Sequence, residues 1–365
     1  MSKLSKFVKL SSALCATIAV CWSGYEVFRP IYDGTVGIAR GSAYAPVRDR
    51  HVSFDIWYPA HPGGKAVTVG GNGVFFGTPA GRKAPYRDGS FPLVIISHGA
   101  GGNAGQFGWI ASRLADSGYV VVLPNHPGTT SGNASAEAAV RVWERPQDVT
   151  AVLDHMTDHA GDFAHVDFEN IAVVGFSAGG YTALALSGAR VDPDRLQGFC
   201  DESDHGMSDC AFLRHFGIDL HQMDLSPAVQ DLRDTRINTG VIVDPGIIGT
   251  ITADSLSGID IPLYVINLGT NETVPAGVHA LKASQLVPDA QHVFIPDATH
   301  FSFLAECKER GPQILENEGE LDPLCQDGNG RSRSGIHDEL ADRIVAYLDD
   351  VIGTSVLHAA AAEIE

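Results

Sequence analysis

Gly175-Phe176-Ser177-Ala178-Gly179-Gly180 sets a serine among small residues, directly after the apolar run Ile171-Ala172-Val173-Val174 and before a helix-forming stretch. In a G-x-S-x-G string of this kind the strand turns sharply into the helix, and the flanking glycines remove Cβ atoms that would block the turn. The Ser177 hydroxyl then projects above the strand ends, at a helix N-terminus that favours developing negative charge. This is the placement of a nucleophile. An ordinary Gly/Ser turn can carry the same letters, so the strand before and the helix after decide the reading.

A serine that attacks a carbonyl needs donors for the oxyanion it creates. Upstream, Leu93-Val94-Ile95-Ile96-Ser97 runs into His98-Gly99-Ala100-Gly101-Gly102-Asn103, a strand followed by a glycine-rich turn. The backbone N–H groups of Ala100 and Ala178 are the expected donor pair. No G-K-[ST] follows the turn, which argues against a phosphate loop.

The serine also needs a base, and in this chain order the base comes after the last strand. Of 15 histidines, His300 in Ile295-Pro296-Asp297-Ala298-Thr299-His300 has that position. His126, in Pro124-Asn125-His126-Pro127-Gly128, either lines the site or shapes a turn. His155 and His159 share a helical face but have no third ligand in view and read as solvated. Two carboxylates follow candidate strands where an orienting acid belongs: Asp244 after Val241-Ile242-Val243, and Glu272 in Gly269-Thr270-Asn271-Glu272. Either could hold an imidazole in its working tautomer and stabilise the imidazolium. Phe176, Phe301 and Phe303 lie near these residues and would suit an acyl pocket or a packed core.

The elements that must position them alternate short β-branched runs with longer helical stretches from about His51, which predicts an α/β chain with a mostly parallel central sheet flanked by helices. Strands are expected at 52–58, 93–97, 120–123, 171–175, 241–243, 263–267 and 292–295, several as continuous apolar runs suited to a sheet buried on both faces. Helices are expected at 107–117, 145–158, 178–187, 278–285 and 336–351. Residues 61–90, polar and Gly-rich, read as a surface loop or hairpin excursion. Residues 190–238 read as an insertion between the nucleophile helix and the next strand, a lid or substrate wall lying over one end of the sheet.

The chain has 365 residues, 44% hydrophobic and 19% charged, with a formal net charge of −19. Such a field repels phosphate backbones, so nucleic acid is not an expected partner. Lys3, Lys6 and Lys9 precede an apolar stretch from Leu10 to Trp22, the form of a secretory signal that is too short to span a bilayer as a helix. Residues 1–23 are therefore assigned as a signal peptide and 24–365 as one domain, secreted or periplasmic, with an uncleaved anchor as the alternative. Removal of that segment leaves Cys200, Cys210, Cys307 and Cys325. Short polar loops favour pairing Cys200 with Cys210 and Cys307 with Cys325. Their spacing lacks the C-x2-C of a zinc site, and no metal or cofactor is called for.

Taken in order, Arg145-Pro146-Gln147-Asp148-Val149, Gly175 to Tyr181, Val243-Asp244-Pro245, the Gly269 turn and Thr299-His300-Phe301 resemble the predicted dienelactone hydrolase group of α/β-hydrolases. That group is similar to platelet-activating-factor acetylhydrolases and to cutinase-like polyester hydrolases. The resemblance covers roughly His51 to Val351 and implies the α/β-hydrolase fold, with Ser177 as nucleophile and His300 as base. Asp244 is the acid in the acetylhydrolase manner, whereas the cutinase-like pattern points to Glu272. Dienelactone hydrolases proper use a cysteine where this chain has Ser177. The implied activity is cleavage of small-molecule or lipid carboxylic esters through an acyl-enzyme, with an acetylhydrolase-like phospholipase or polyester hydrolase as the alternative. A catalytically silent α/β-hydrolase acting as a binding protein is the reading from a different class.

Overall fold

The computed structural model describes residues 30–201, 205–328 and 330–353. The signal segment expected at 1–23 lies outside the described residues.

Ten strands form one sheet: β1 (Val36–Ala45), β2 (Arg50–Pro59), β3 (Lys65–Val69), β4 (Thr78–Arg82), β5 (Phe91–Ser97), β6 (Val120–Pro124), β7 (Val166–Phe176), β8 (Thr239–Val243), β9 (Leu263–Leu268) and β10 (Ala290–Ile295). Their order is β10-β9-β8-β7-β5-β6-β2-β1-β4-β3. From β10 to β6 every pairing is parallel, and β2 joins β6 antiparallel.

Alternate residues of the central strands belong to two separate cores. Leu93, Ile95, Val120, Val122, Ile171 and Val173 pack on one face, with residues of helices Glu144–Asp158 and Ala178–Leu186. Val94, Ile96, Val121, Leu123, Ala172 and Val174 pack on the other, with helices Gly108–Asp116 and Arg333–Leu348. A strand covered on both faces has no polar side to show, which is why these strands read as unbroken apolar runs. All seven expected strands are present, within a sheet of the expected fold class.

Three strands were not expected individually. β3 and β4 pair antiparallel inside the 61–90 excursion, and β4 adds to β1 in parallel, so that stretch extends the sheet as a hairpin. β1 pairs with β2 along its whole length. Its glycines face aromatic rings: Gly37 is opposite Tyr58 and Gly41 opposite Phe54, and a Cβ at either would lie 2.1 or 2.2 Å from the ring.

The helix expected at 278–285 is broken into a 3-10 turn, Ala276–Val278, and the short helix Leu281–Ser284. Asn267 interrupts it, because its side chain donates to the Val278 carbonyl (2.8 Å) and accepts the Ala280 N–H (2.9 Å). Residues 190–238 lie between helix Ala178–Leu186 and β8 and carry helices Pro193–Gln197 and Asp209–His215. Cys200–Cys210 closes a loop within this stretch, and Cys307–Cys325 closes one after β10. Among the described residues no helix is long and apolar enough to cross a membrane.

Candidate active site

β5 lies between β6 and β7, so the strand order reverses there, the position where open parallel sheets bind ligands beyond the carboxyl ends of their strands. Ser177 stands there, at the end of β7, with φ 57° and ψ −121°. The backbone around it enforces this conformation. The Ser177 N–H donates to the Val243 carbonyl (3.0 Å), while its own carbonyl accepts from Gly180 and Gly246 (2.8 Å each). A Cβ on Gly179 would sit 1.9 Å from the Ser97 carbonyl oxygen, and one on Gly175 would sit 1.9 Å from the Gly179 oxygen. Both glycines are therefore required by close backbone approach, and Ser177 stays half-exposed above them.

The turn after β5 runs beside the serine, since a Cβ on Gly99 would lie 3.3 Å from that of Ser177. Gly101, at φ 67°, donates its N–H to the Thr129 carbonyl (2.9 Å), and Gly102 donates to Gly99 (3.2 Å). Ala100 between them is exposed, and among the described residues its N–H has no partner. Ala178 is the first residue of its helix, where the N–H has no intrahelical acceptor. Two N–H groups without acceptors thus lie on segments that both adjoin Ser177.

Asp244 follows β8 at φ 41° and is wholly buried. Its Oδ2 lies 3.0 Å from His300 Nδ1. Its Oδ1 accepts from the Leu268 N–H (3.0 Å) and from Asn267 Nδ2 (2.7 Å). His300 is 5% exposed and packs at 4.7 Å on the ring of Phe176, the residue preceding Ser177. With Nδ1 occupied, Nε2 is the ring nitrogen left for proton transfer.

The loop after His300 is held by its carbonyls. His337 Nε2 donates to Ser302 (2.9 Å) and Leu304 (3.1 Å), Trp109 Nε1 to Phe303 (3.0 Å), and Arg333 Nη1 to Ala305 (3.1 Å). The His337 ring stacks on Trp109 at 3.7 Å, and burial pulls its pKa down to about 4. Neutral at ordinary pH, it fastens the loop without adding a charge beside the core.

Glu272 does not join this group. It is exposed, and its carboxyl is held below the usual range by the Thr270 hydroxyl, which donates to it at 2.9 Å. Phe176 and Phe303 are buried core residues, so only half-buried Phe301 of the three aromatics reaches the surface. His126 is wholly buried between Ser97 Oγ and Asp148 Oδ2, both 2.9 Å away. His155 and His159 have ring centroids 4.5 Å apart, and no metal-binding group of three or more His, Cys, Asp or Glu occurs among the described residues.

Some neighbours of the site were not anticipated. Asn267 is one, although a polar residue at the end of an apolar strand run is itself an informative signal. Ser208 and Asp322 are others: Ser208 Oγ donates to Asp322 Oδ2 at 2.9 Å, joining the two disulfide loops. Burial raises the carboxyl pKa of Asp209 and of Asp322, and the electrostatic influence of His300 on both places these carboxyls near it.

Residues 83–237 match the family described as BD-FAE. Cutinase 1 of Thermobifida cellulosilytica is 28% identical over 110 residues, 30% of this chain and 38% of the cutinase. Dipeptidyl-peptidase 5 of Trichophyton equinum is 30% identical over 107 residues, 27% of this chain and 14% of that protein. The aligned chain thus spans well under half the length of either relative. The solved structure of a ferulic acid esterase from Streptomyces cinnamoneus aligns with 90% of this chain and 91% of its own at a TM-score of 0.58 and 17% identity, a likeness of fold.

Proposed function

We propose that the chain, which has the fold of an α/β-hydrolase and matches the BD-FAE family over residues 83–237, is a secreted carboxylic ester hydrolase working through a serine acyl-enzyme. The observation that carries the reading is the Asp244–His300 contact of 3.0 Å, set beside a serine held at positive φ. In this mechanism Ser177 Oγ attacks the ester carbonyl carbon while His300 Nε2 takes its proton. The oxyanion of the tetrahedral intermediate accepts from Ala100 and Ala178 N–H. Collapse breaks the bond to the alcohol, which leaves with the proton from His300, and the acyl group remains on Ser177. Water then repeats the sequence, with His300 as its base, and releases the carboxylic acid. Asp244 holds Nδ1–H throughout and stabilises the imidazolium.

The names of the similar proteins, cutinase and ferulic acid esterase, support ester cleavage as the reaction class. Two disulfides support an oxidising compartment. Residues 24–365 act as a single catalytic unit on this reading, with 190–238 as a substrate wall. Hydrolysis of p-nitrophenyl butyrate, compared between the native chain and Ser177→Ala, tests it. Activity in the first that vanishes in the second is expected; equal rates would remove Ser177 from the chemistry, and silence in both would favour a binding protein.

A further inference from the structure

Arg145 and Asp148 take no part in the steps above, yet both are wholly buried. Charges are not left in a protein interior without partners, so their bonds need a purpose. Arg145 Nη2 donates to the His98 carbonyl and to Ser97 Oγ (3.4 Å), at the end of β5. Its Nη1 donates to Thr129 Oγ1 (2.6 Å), and the Thr129 carbonyl in turn accepts the Gly101 N–H (2.9 Å). Its Nε donates to Thr182 Oγ1 (3.2 Å) on the nucleophile helix, and that hydroxyl donates to the Ala178 carbonyl (3.0 Å). One guanidinium therefore touches both segments that carry the donor pair, the turn of Ala100 and the helix start of Ala178.

Asp148, whose carboxyl burial pushes up to about 7 against the pull of Arg48 and Arg145, supplies a second tie to β5. Its Oδ2 accepts from Arg48 Nη2 (3.0 Å) and His126 Nδ1 (2.9 Å), and His126 Nε2 lies 2.9 Å from Ser97 Oγ. Glu144 pairs with Arg48 at 2.7 Å, so two arginines face two carboxylates. Burial and the nearby Arg48 both press against the charge of Arg145, and Asp148 supports it.

We propose that Arg145 is a positioning residue that fixes the spacing of the Ala100 and Ala178 N–H groups; the inference rests on the serine hydrolase reading. A planar guanidinium can satisfy four acceptors on three diverging segments, whereas a lysine ammonium on a flexible stem cannot hold the same fork. Donor placement matters most where charge develops, so loosening it costs turnover and spares substrate binding.

The test uses the full chain and the variants Arg145→Lys and Thr129→Val. Arg145→Lys is expected to lower kcat on p-nitrophenyl butyrate by about 10- to 100-fold with KM within about twofold, and to speed amide hydrogen exchange at residues 99–102. Thr129→Val, which removes one of the Arg145 acceptors and a long bond to the His126 carbonyl (3.4 Å), is expected to give a smaller loss of the same kind and decides the matter if Arg145→Lys does not fold. Unchanged kcat, a loss confined to KM, or unchanged exchange at 99–102 in a folded variant would overturn the proposal. Should the native chain itself leave the ester untouched, the hydrolase reading fails, and exchange alone decides whether Arg145 holds the turn.

Discussion

Asp244 presents one carboxylate oxygen to His300 Nδ1 at 3.0 Å while its other oxygen accepts from the Leu268 N–H and from Asn267 Nδ2. Two donors fix the carboxylate plane, so the imidazole meets it in one orientation. Glu272 is exposed and turned to Thr270. Asp244→Asn is therefore expected to lower kcat on p-nitrophenyl butyrate by roughly 10³- to 10⁴-fold, the cost of the wrong tautomer. Glu272→Gln is expected to stay within about twofold of the native rate. Reversal of these effects would move the acid to Glu272.

Asn267 links that carboxylate to the broken helix behind it, because the same amide binds Asp244, Val278 and Ala280. Asn267→Ala removes a hydrogen bond to a charged group and strands the buried Ala280 N–H. Losses of this kind run to about 1–3 kcal/mol each. The variant is expected to lower kcat roughly tenfold and also to lower the chemical denaturation midpoint. An unchanged rate in a destabilised protein would make Asn267 a packing residue only.

At Gly179 the argument is steric. A Cβ there would stand 1.9 Å from the Ser97 carbonyl oxygen and 2.8 Å from that of His98, both backbone atoms with no flexible side chain to yield. Gly179→Ala must push helix Ala178–Leu186 away from β5 and the turn of Ala100. Expected outcomes are failure to accumulate as soluble protein or a loss of at least about 100-fold in kcat. Normal yield and normal turnover together would mean that the two segments are not held at this spacing.

The central strands were legible in the sequence because both faces of the sheet are covered, so burial alone wrote their pattern. β1 was not, since Gly37 and Gly41 weaken any strand signal locally. Their reason lies across the pair, in the rings of Tyr58 and Phe54 that occupy the space of the missing side chains. The broken helix at 278–285 escaped for a similar cause, because Asn267, remote in sequence, takes over its hydrogen bonds. Ser177 and the two glycines announced themselves through local strain. Arg145 was visible as part of a motif, but its four acceptors come from segments up to 48 residues away and could be assembled only in the fold. Trp109, His337 and Arg333 had no local signal at all, since what they bind is backbone carbonyl.

His337 ties the loop after His300 to helix Arg333–Leu348 in its neutral form, which gives the loop a dependence on pH. Burial lowers its pKa from the ordinary 6.5 to about 4, and lowers that of His98 to about 3. The unfolded chain then binds protons at a higher pH than the folded one does. Stability from this source is full above pH 6.5 and is lost as pH falls toward the folded values, on the order of 3 kcal/mol for His337 alone. Tm is expected to drop steadily between pH 6.5 and 4. His337→Gln, which keeps a side-chain donor and cannot be protonated, is expected to start lower at neutral pH and to show a shallower acid slope. Parallel slopes in native and variant chains would mean that His337 is not a source of the acid sensitivity.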